Sequence, residues 1–193
     1  MPAAAAPAAS SVDATKPEVA EPVLVGRSRT IAMVLFAIAT SATAFVFGAM
    51  AVHLPAVLQA HGLTAAVAVT LASIKGVAQV AGRVCEIAWG KRLHALDLGR
   101  ISIGFMPVAF AVLMLGGASF TGALTFTICF GIANGLVTIV RGAVPLVLFG
   151  KEGYGAILGI LATPYLILNA LAPAVLAVVV DASGYHLAES LLL

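Results

Sequence analysis

The chain has 193 residues, of which 62% are hydrophobic and 9% are charged, and its formal net charge is +2. A soluble domain carries roughly 25% charged residues, so a soluble fold of this size would leave too much apolar surface in water. The apolar runs are continuous and do not alternate with period two, which excludes a membrane β-barrel and predicts an all-α polytopic membrane protein. The spacing of the Cys and His residues indicates neither a disulfide framework nor a metal site, no cofactor is implied, and no basic cluster suggests nucleic-acid binding.

The first predicted element is an Ala- and Pro-rich segment, residues 1–29, which we interpret as a disordered cytoplasmic tail or linker. Five apolar spans follow, and a helix needs about 20 residues to cross the hydrocarbon core. The spans cover approximately residues 31–52, 64–89, 101–115, 120–140 and 154–180. After Gly184 a further apolar segment, 185–193, is interpreted as the start of a sixth helix at which the chain is truncated, or alternatively as an amphipathic tail at the surface.

Lys and Arg residues fall at alternate ends of the predicted spans. The first span is preceded by basic residues, and the turns after the second and fourth spans contain more of them, whereas the other turns contain none. These residues are Arg27, Arg29, Lys91, Arg92, Arg100 and Lys151. Because cytoplasmic turns are enriched in Lys and Arg, we predict a multi-pass protein of the inner or plasma membrane with a cytoplasmic N-terminus.

The second span carries an unusual polar stripe. Lys75, Gln79, Arg83 and Glu86 fall within about 80° of one another on a helix. Charges inside a bilayer are costly and often mark a solute route or a gate. Lys75 lies near the predicted midplane, where it would bind an anion or respond to protons, or else form a structural ion pair or hydrogen bond. Gln79 would contact solute or hydrogen-bond a neighbouring helix, and Arg83 and Glu86 are spaced to pair with each other.

The fourth and fifth spans add three candidate residues. Asn134 lies near the middle of the fourth span and would line a solute path, while Arg141 lies near its cytoplasmic end as a gate or an interfacial anchor. Asn169 lies between Pro164 and Pro173, where it would face a cavity or satisfy a carbonyl that a proline leaves free.

Two stretches resemble the major facilitator superfamily. Transporters of this family have two six-helix halves, and a signature motif follows the second helix of each half. The first stretch has its Gly, acidic and basic residues in the order of that motif, with Ile87 at a position where the family usually has Arg. Its residues are Gly82, Glu86, Gly90, Lys91 and Arg92. The second, from Gly131 through Gly155, resembles the tenth helix, cytoplasmic turn and eleventh helix of prokaryotic members. The resemblance implies helices 7–11 and the start of helix 12, which form the C-terminal half of a two-bundle fold.

The function that follows as an expectation is secondary active transport of a small polar or anionic solute by alternating access. Lys75, Gln79, Asn134 and Asn169 are the expected substrate-binding residues. The expected gating residues are Gly82, Arg83, Glu86, Gly90, Lys91, Arg92 and Arg141.

The expected partners are membrane lipid, a small-molecule substrate, and either a missing N-terminal six-helix half or a second copy. The chain has no HExxH, GxSxG or paired-Asp motif, so no enzyme is predicted. The alternative is a truncated, non-transporting membrane protein, or a half-transporter that needs a partner chain.

Overall fold

The computed structural model describes residues 24–89 and 94–192, and within these ranges it contains five α-helices and no strand. The helices are α1 (Gly26–Ala60), α2 (Ala65–Trp89), α3 (Ala95–Gly116), α4 (Phe120–Phe149) and α5 (Tyr154–Leu192). Each contains a stretch long and apolar enough to cross a membrane. The all-α prediction is therefore confirmed for the described residues, and the five apolar helices indicate a membrane protein. Most of the predicted tail, and residues 90–93 of the basic turn, lie outside these ranges.

Several helices are longer than the predicted apolar spans because polar residues cap or continue them. α3 begins at Ala95, where the His94 side chain accepts a hydrogen bond from the Leu96 amide at 3.4 Å. Asp97 and Arg100 then form an ion pair at 2.9 Å in its first turns. Hydropathy alone does not recognise such a turn as helical, although capping and i,i+3 ion pairs stabilise it.

The predicted break before Tyr185 corresponds to a change of chain direction. Gly184 has φ 78° and ψ 170°, a backbone conformation that residues with a Cβ rarely adopt. The Tyr185 ring then lies 6.4 Å from that of His53, and Leu192 lines the same cavity as Leu168. A straight helix would separate Leu168 from Leu192 by about 36 Å, so the chain turns back into the bundle after Gly184.

The core of the bundle is an aromatic cluster that joins α1, α3 and α4. It comprises Phe47, Phe110, Phe126 and Phe130, with ring centroids 5.2 to 5.9 Å apart. Tilted and edge-on rings at this distance attract one another beyond the burial of their area. Within the bundle, α4 packs mainly against α2 and α3, and α1 packs mainly along α5.

α2 and α4 approach each other closely because glycines lie at their contact. Gly131 and Gly135 of α4 lie against the backbone of Lys75 and Gln79 in α2. A Cβ atom added at Gly135 would overlap the Gln79 carbonyl oxygen. Small residues at this spacing allow helix backbones to pack tightly in a membrane.

Gly135→Ala should therefore destabilise the protein by about 1–3 kcal/mol, because the added methyl group pushes α2 away from α4. Gly104→Ala is the matched control, since a Cβ there meets no atom of the described residues within 4 Å. Thermal unfolding of the purified variants in detergent measures both effects. An equal melting temperature for Gly135→Ala and the wild type would show that the close contact does not exist.

Candidate functional site

Two polar side-chain contacts join α2 to α4, one helical turn apart. The Asn134 amide Nδ2 donates to Gln79 Oε1 at 3.5 Å, the long limit of a hydrogen bond. The Arg83 Nη2 donates to Thr138 Oγ1 at 3.1 Å. We call these four residues the α2–α4 seam. The structure thus brings together three of the predicted site residues, Gln79, Arg83 and Asn134, between two helices of membrane-spanning length.

Lys75 lies one turn before Gln79 on the same face of α2. Its side chain is partly buried, and its backbone carbonyl lies against Gly131. Within the described residues no hydrogen bond or ion pair engages its ammonium group, so the structural ion pair considered from the sequence is not formed there. An unpaired cation at this position is available to a group from outside the described chain.

The polar residues nearer the end of α2 are arranged differently from the sequence-based expectation. Arg83 points to Thr138 on α4 rather than pairing with Glu86, and its Nε atom is buried without a hydrogen-bond partner. Glu86 is partly buried and forms no ion pair with a described residue. Gly82 packs against the Ile132 backbone of α4 and extends the close helix contact. The remaining signature residues, Gly90, Lys91 and Arg92, lie outside the described ranges.

Arg141 contacts an aromatic residue that the sequence did not single out. Its Cζ atom lies 3.4 Å from the centroid of the Tyr165 ring, the geometry of a cation–π contact between α4 and α5. The only local signal for Tyr165 is that it directly follows Pro164 within an apolar span. Arg141 also lines a cavity of about 320 Å³. The other lining residues are Phe36, Thr40, Thr138, Gly142, Leu158, Leu161 and Ala162.

Asn169 is separate from the seam and joins α5 to α1. Its side-chain Nδ2 donates to the Ala44 carbonyl at 2.9 Å, and its backbone carbonyl oxygen lies against Gly48. This backbone carbonyl lacks its usual helical hydrogen bond, because Pro173 has no N–H to donate to it. Gly48 has no Cβ, so α1 can pack directly against the carbonyl. His53 is a further link, with Nε2 3.0 Å from the Pro173 carbonyl oxygen.

The described residues contain no group of three or more His, Cys, Asp or Glu side chains that could hold a metal ion. Comparisons of the chain with protein-family models, with curated proteins and with solved structures gave no match.

Asn169→Ala should lower the stability of the protein by about 1–2 kcal/mol, because it removes a hydrogen bond between two helices. Thr163→Ala is the control: among the described residues its exposed hydroxyl bonds only to the Gly159 carbonyl of its own helix, at 2.9 Å. Thermal unfolding in detergent compares the two. A smaller loss for Asn169→Ala than for Thr163→Ala would refute its role in joining α1 to α5.

Proposed function

We propose that this chain forms one wall of the solute path of a secondary transporter for a small polar or anionic solute. The observation that supports this proposal best is the α2–α4 seam together with Lys75. Polar and charged side chains extend along two adjoining helices that are each apolar and long enough to cross a membrane. In the core of a soluble protein, apolar residues would occupy such positions between two helices.

The energetic cost of these side chains supports a functional role. A Lys near the centre of a membrane helix costs about 3 kcal/mol on insertion scales. The described residues offer Lys75 no counter-ion, so they do not offset that cost. A solute that carries acceptor groups would do so while it occupies the path.

Exposure of the seam suggests that a second wall exists. Lys75, Gln79, Arg83 and Asn134 are each only partly buried, and Thr138 is exposed. In alternating access, two helical bundles rock about a site at their interface. We therefore propose that an N-terminal six-helix half, a second copy or a partner chain covers the seam, as the resemblance to the major facilitator superfamily implies. A membrane protein that does not transport is the alternative, because one wall does not enclose a path.

Lys75→Ala should reduce solute uptake by about tenfold or more, equivalent to a loss of about 1.4 kcal/mol of interaction. Native membrane vesicles, which keep the chain together with any partner that covers the seam, would be screened with labelled carboxylates, amino acids and sugars against empty vesicles from cells without the chain, and the variant tested with the solute that accumulates. Lys151→Ala, at an exposed position in the α4–α5 turn, is the control. Accumulation no greater than in empty vesicles would favour the non-transporting alternative, and unchanged uptake by Lys75→Ala would remove Lys75 from the path.

We further propose that the protein lies in the inner or plasma membrane with a cytoplasmic N-terminus, and the arrangement of the helix ends is consistent with that orientation. The Leu24 amide bonds to the Leu148 carbonyl at 3.3 Å, which places the start of α1 beside the end of α4. His61 lies against Gly117 at the opposite end. The flank of α1 and the α4–α5 turn, both of which contain basic residues, therefore share one end, which the positive-inside rule assigns to the cytoplasm.

Cysteine labelling of intact cells tests this orientation. In a background with Cys85 and Cys129 replaced by Ala, Thr64→Cys should react with a membrane-impermeant maleimide, whereas Lys151→Cys should react only after the membrane is opened. Both positions are exposed in the structure, so access depends on the side of the membrane. The reverse labelling pattern would invert the topology.

A further inference from the structure

We propose that the cavity beside Arg141 is a binding site for a small oxyanion, that is, for a carboxylate or phosphate group held by the Arg141 guanidinium. The proposal goes beyond the proposed transport function, because such a site binds its anion whether or not the chain moves a solute. It rests on the volume and lining of the cavity, the charges near it and the hydrogen-bond donors that remain available.

The cavity lies where three helices meet. Phe36 and Thr40 contribute from α1, Thr138 and Arg141 from α4, and Leu161 with its neighbours from α5. Its volume of about 320 Å³ is at the lower end of the range of about 300–1,000 Å³ that is usual for ligand pockets. A single small anion, or the phosphate group of one lipid, therefore fits it better than a large solute.

The charge around the cavity is positive and is not neutralised by the described residues. No described carboxylate pairs with Arg141 or with Arg83. Arg83 does not line the cavity, but its guanidinium lies next to it, since it donates to Thr138 Oγ1 at 3.1 Å and Thr138 is a lining residue. Two guanidinium groups in partly buried surroundings of low dielectric attract an anion more strongly than exposed ones do.

The contact with Tyr165 restrains the guanidinium and leaves its N–H groups available for a bidentate interaction. The ring covers one face of the group at 3.4 Å. The N–H groups of a guanidinium lie in its plane, so stacking leaves them free, and none of them donates to another described residue. A planar fork of this kind matches the two oxygens of a carboxylate or phosphate.

The neutral hydroxyls of the cavity do not compete as donors. Thr40 donates to the Phe36 carbonyl at 2.8 Å, and Thr138 donates to the Asn134 carbonyl at 3.0 Å. Because each hydroxyl has one hydrogen, both are already used within their own helices. The remaining donors are the charged N–H groups, which favours an oxyanion over a neutral ligand of the same shape.

Binding to the full chain in phosphatidylcholine nanodiscs tests the proposal, with acetate and inorganic phosphate as probes and acetamide as the neutral isostere of acetate. Isothermal titration should show that one of the two anions binds and that acetamide does not. Arg141→Gln should raise the Kd of that anion by about tenfold or more. The exposed Arg27→Gln variant should leave it unchanged, and Tyr165→Leu should weaken binding more than Tyr165→Phe, which keeps the ring.

A second arm separates a soluble anion from a lipid headgroup. If neither anion binds, native mass spectrometry of the protein from phosphatidylglycerol nanodiscs should show retained lipid that Arg141→Gln loses and Arg27→Gln keeps. Arg141→Lys retains the charge without the fork and should bind more weakly than the wild type in whichever arm gives binding. The proposal is overturned if no anion or anionic lipid depends on Arg141, or if Arg141→Lys binds as well as the wild type.

Discussion

The close packing of α2 on α4 determines where the polar groups of this protein can meet. A membrane offers little hydrophobic force between helices, so their association depends on tight packing and on hydrogen bonds between them. Gly131 and Gly135 supply the packing, and they lie against Lys75 and Gln79, the residues of α2 that also carry polar side chains. Because the backbones are close, the short Asn134 side chain reaches Gln79. A wider separation would leave both amides in an apolar surrounding without a partner, which is unfavourable.

The rest of the bundle is organised around this pair. Aromatic rings connect α4 to α3 and α1, whereas α1 and α5 form a second close pair that Asn169 and Gly48 hold together. α4 and α5 contact each other much less, and the cavity beside Arg141 occupies the space between them and α1. The cation–π contact with Tyr165 bridges this gap. The bundle thus contains two closely packed helix pairs, α2 with α4 and α1 with α5, and α4 and α5 pack less tightly against each other.

The amino-acid sequence was sufficient to predict the helices and part of the polar seam. Continuous apolar runs indicate helices, and the helical period correctly places Gln79 and Arg83 on one face. The partner of Arg83 was not predictable, because the nearby Glu86 is favoured by local spacing while Thr138 is reached only through the packing of two helices. The same reason applies to Tyr165, whose contact with Arg141 depends on how α5 lies against α4 and leaves no periodic pattern in either helix.

The unequal lengths of the helices couple this bundle to the thickness of the lipid around it. α1 has 35 residues and α3 has 22, so straight helices would extend about 52 Å and 33 Å, against a hydrocarbon core of about 30 Å. α3 is about as long as this core is thick, whereas α1 exceeds it and must tilt, bend or extend into the headgroup regions. Phe36 and Thr40 of α1 form part of the cavity wall. A change of bilayer thickness that altered the tilt of α1 would therefore also alter the width of the space in front of Arg141.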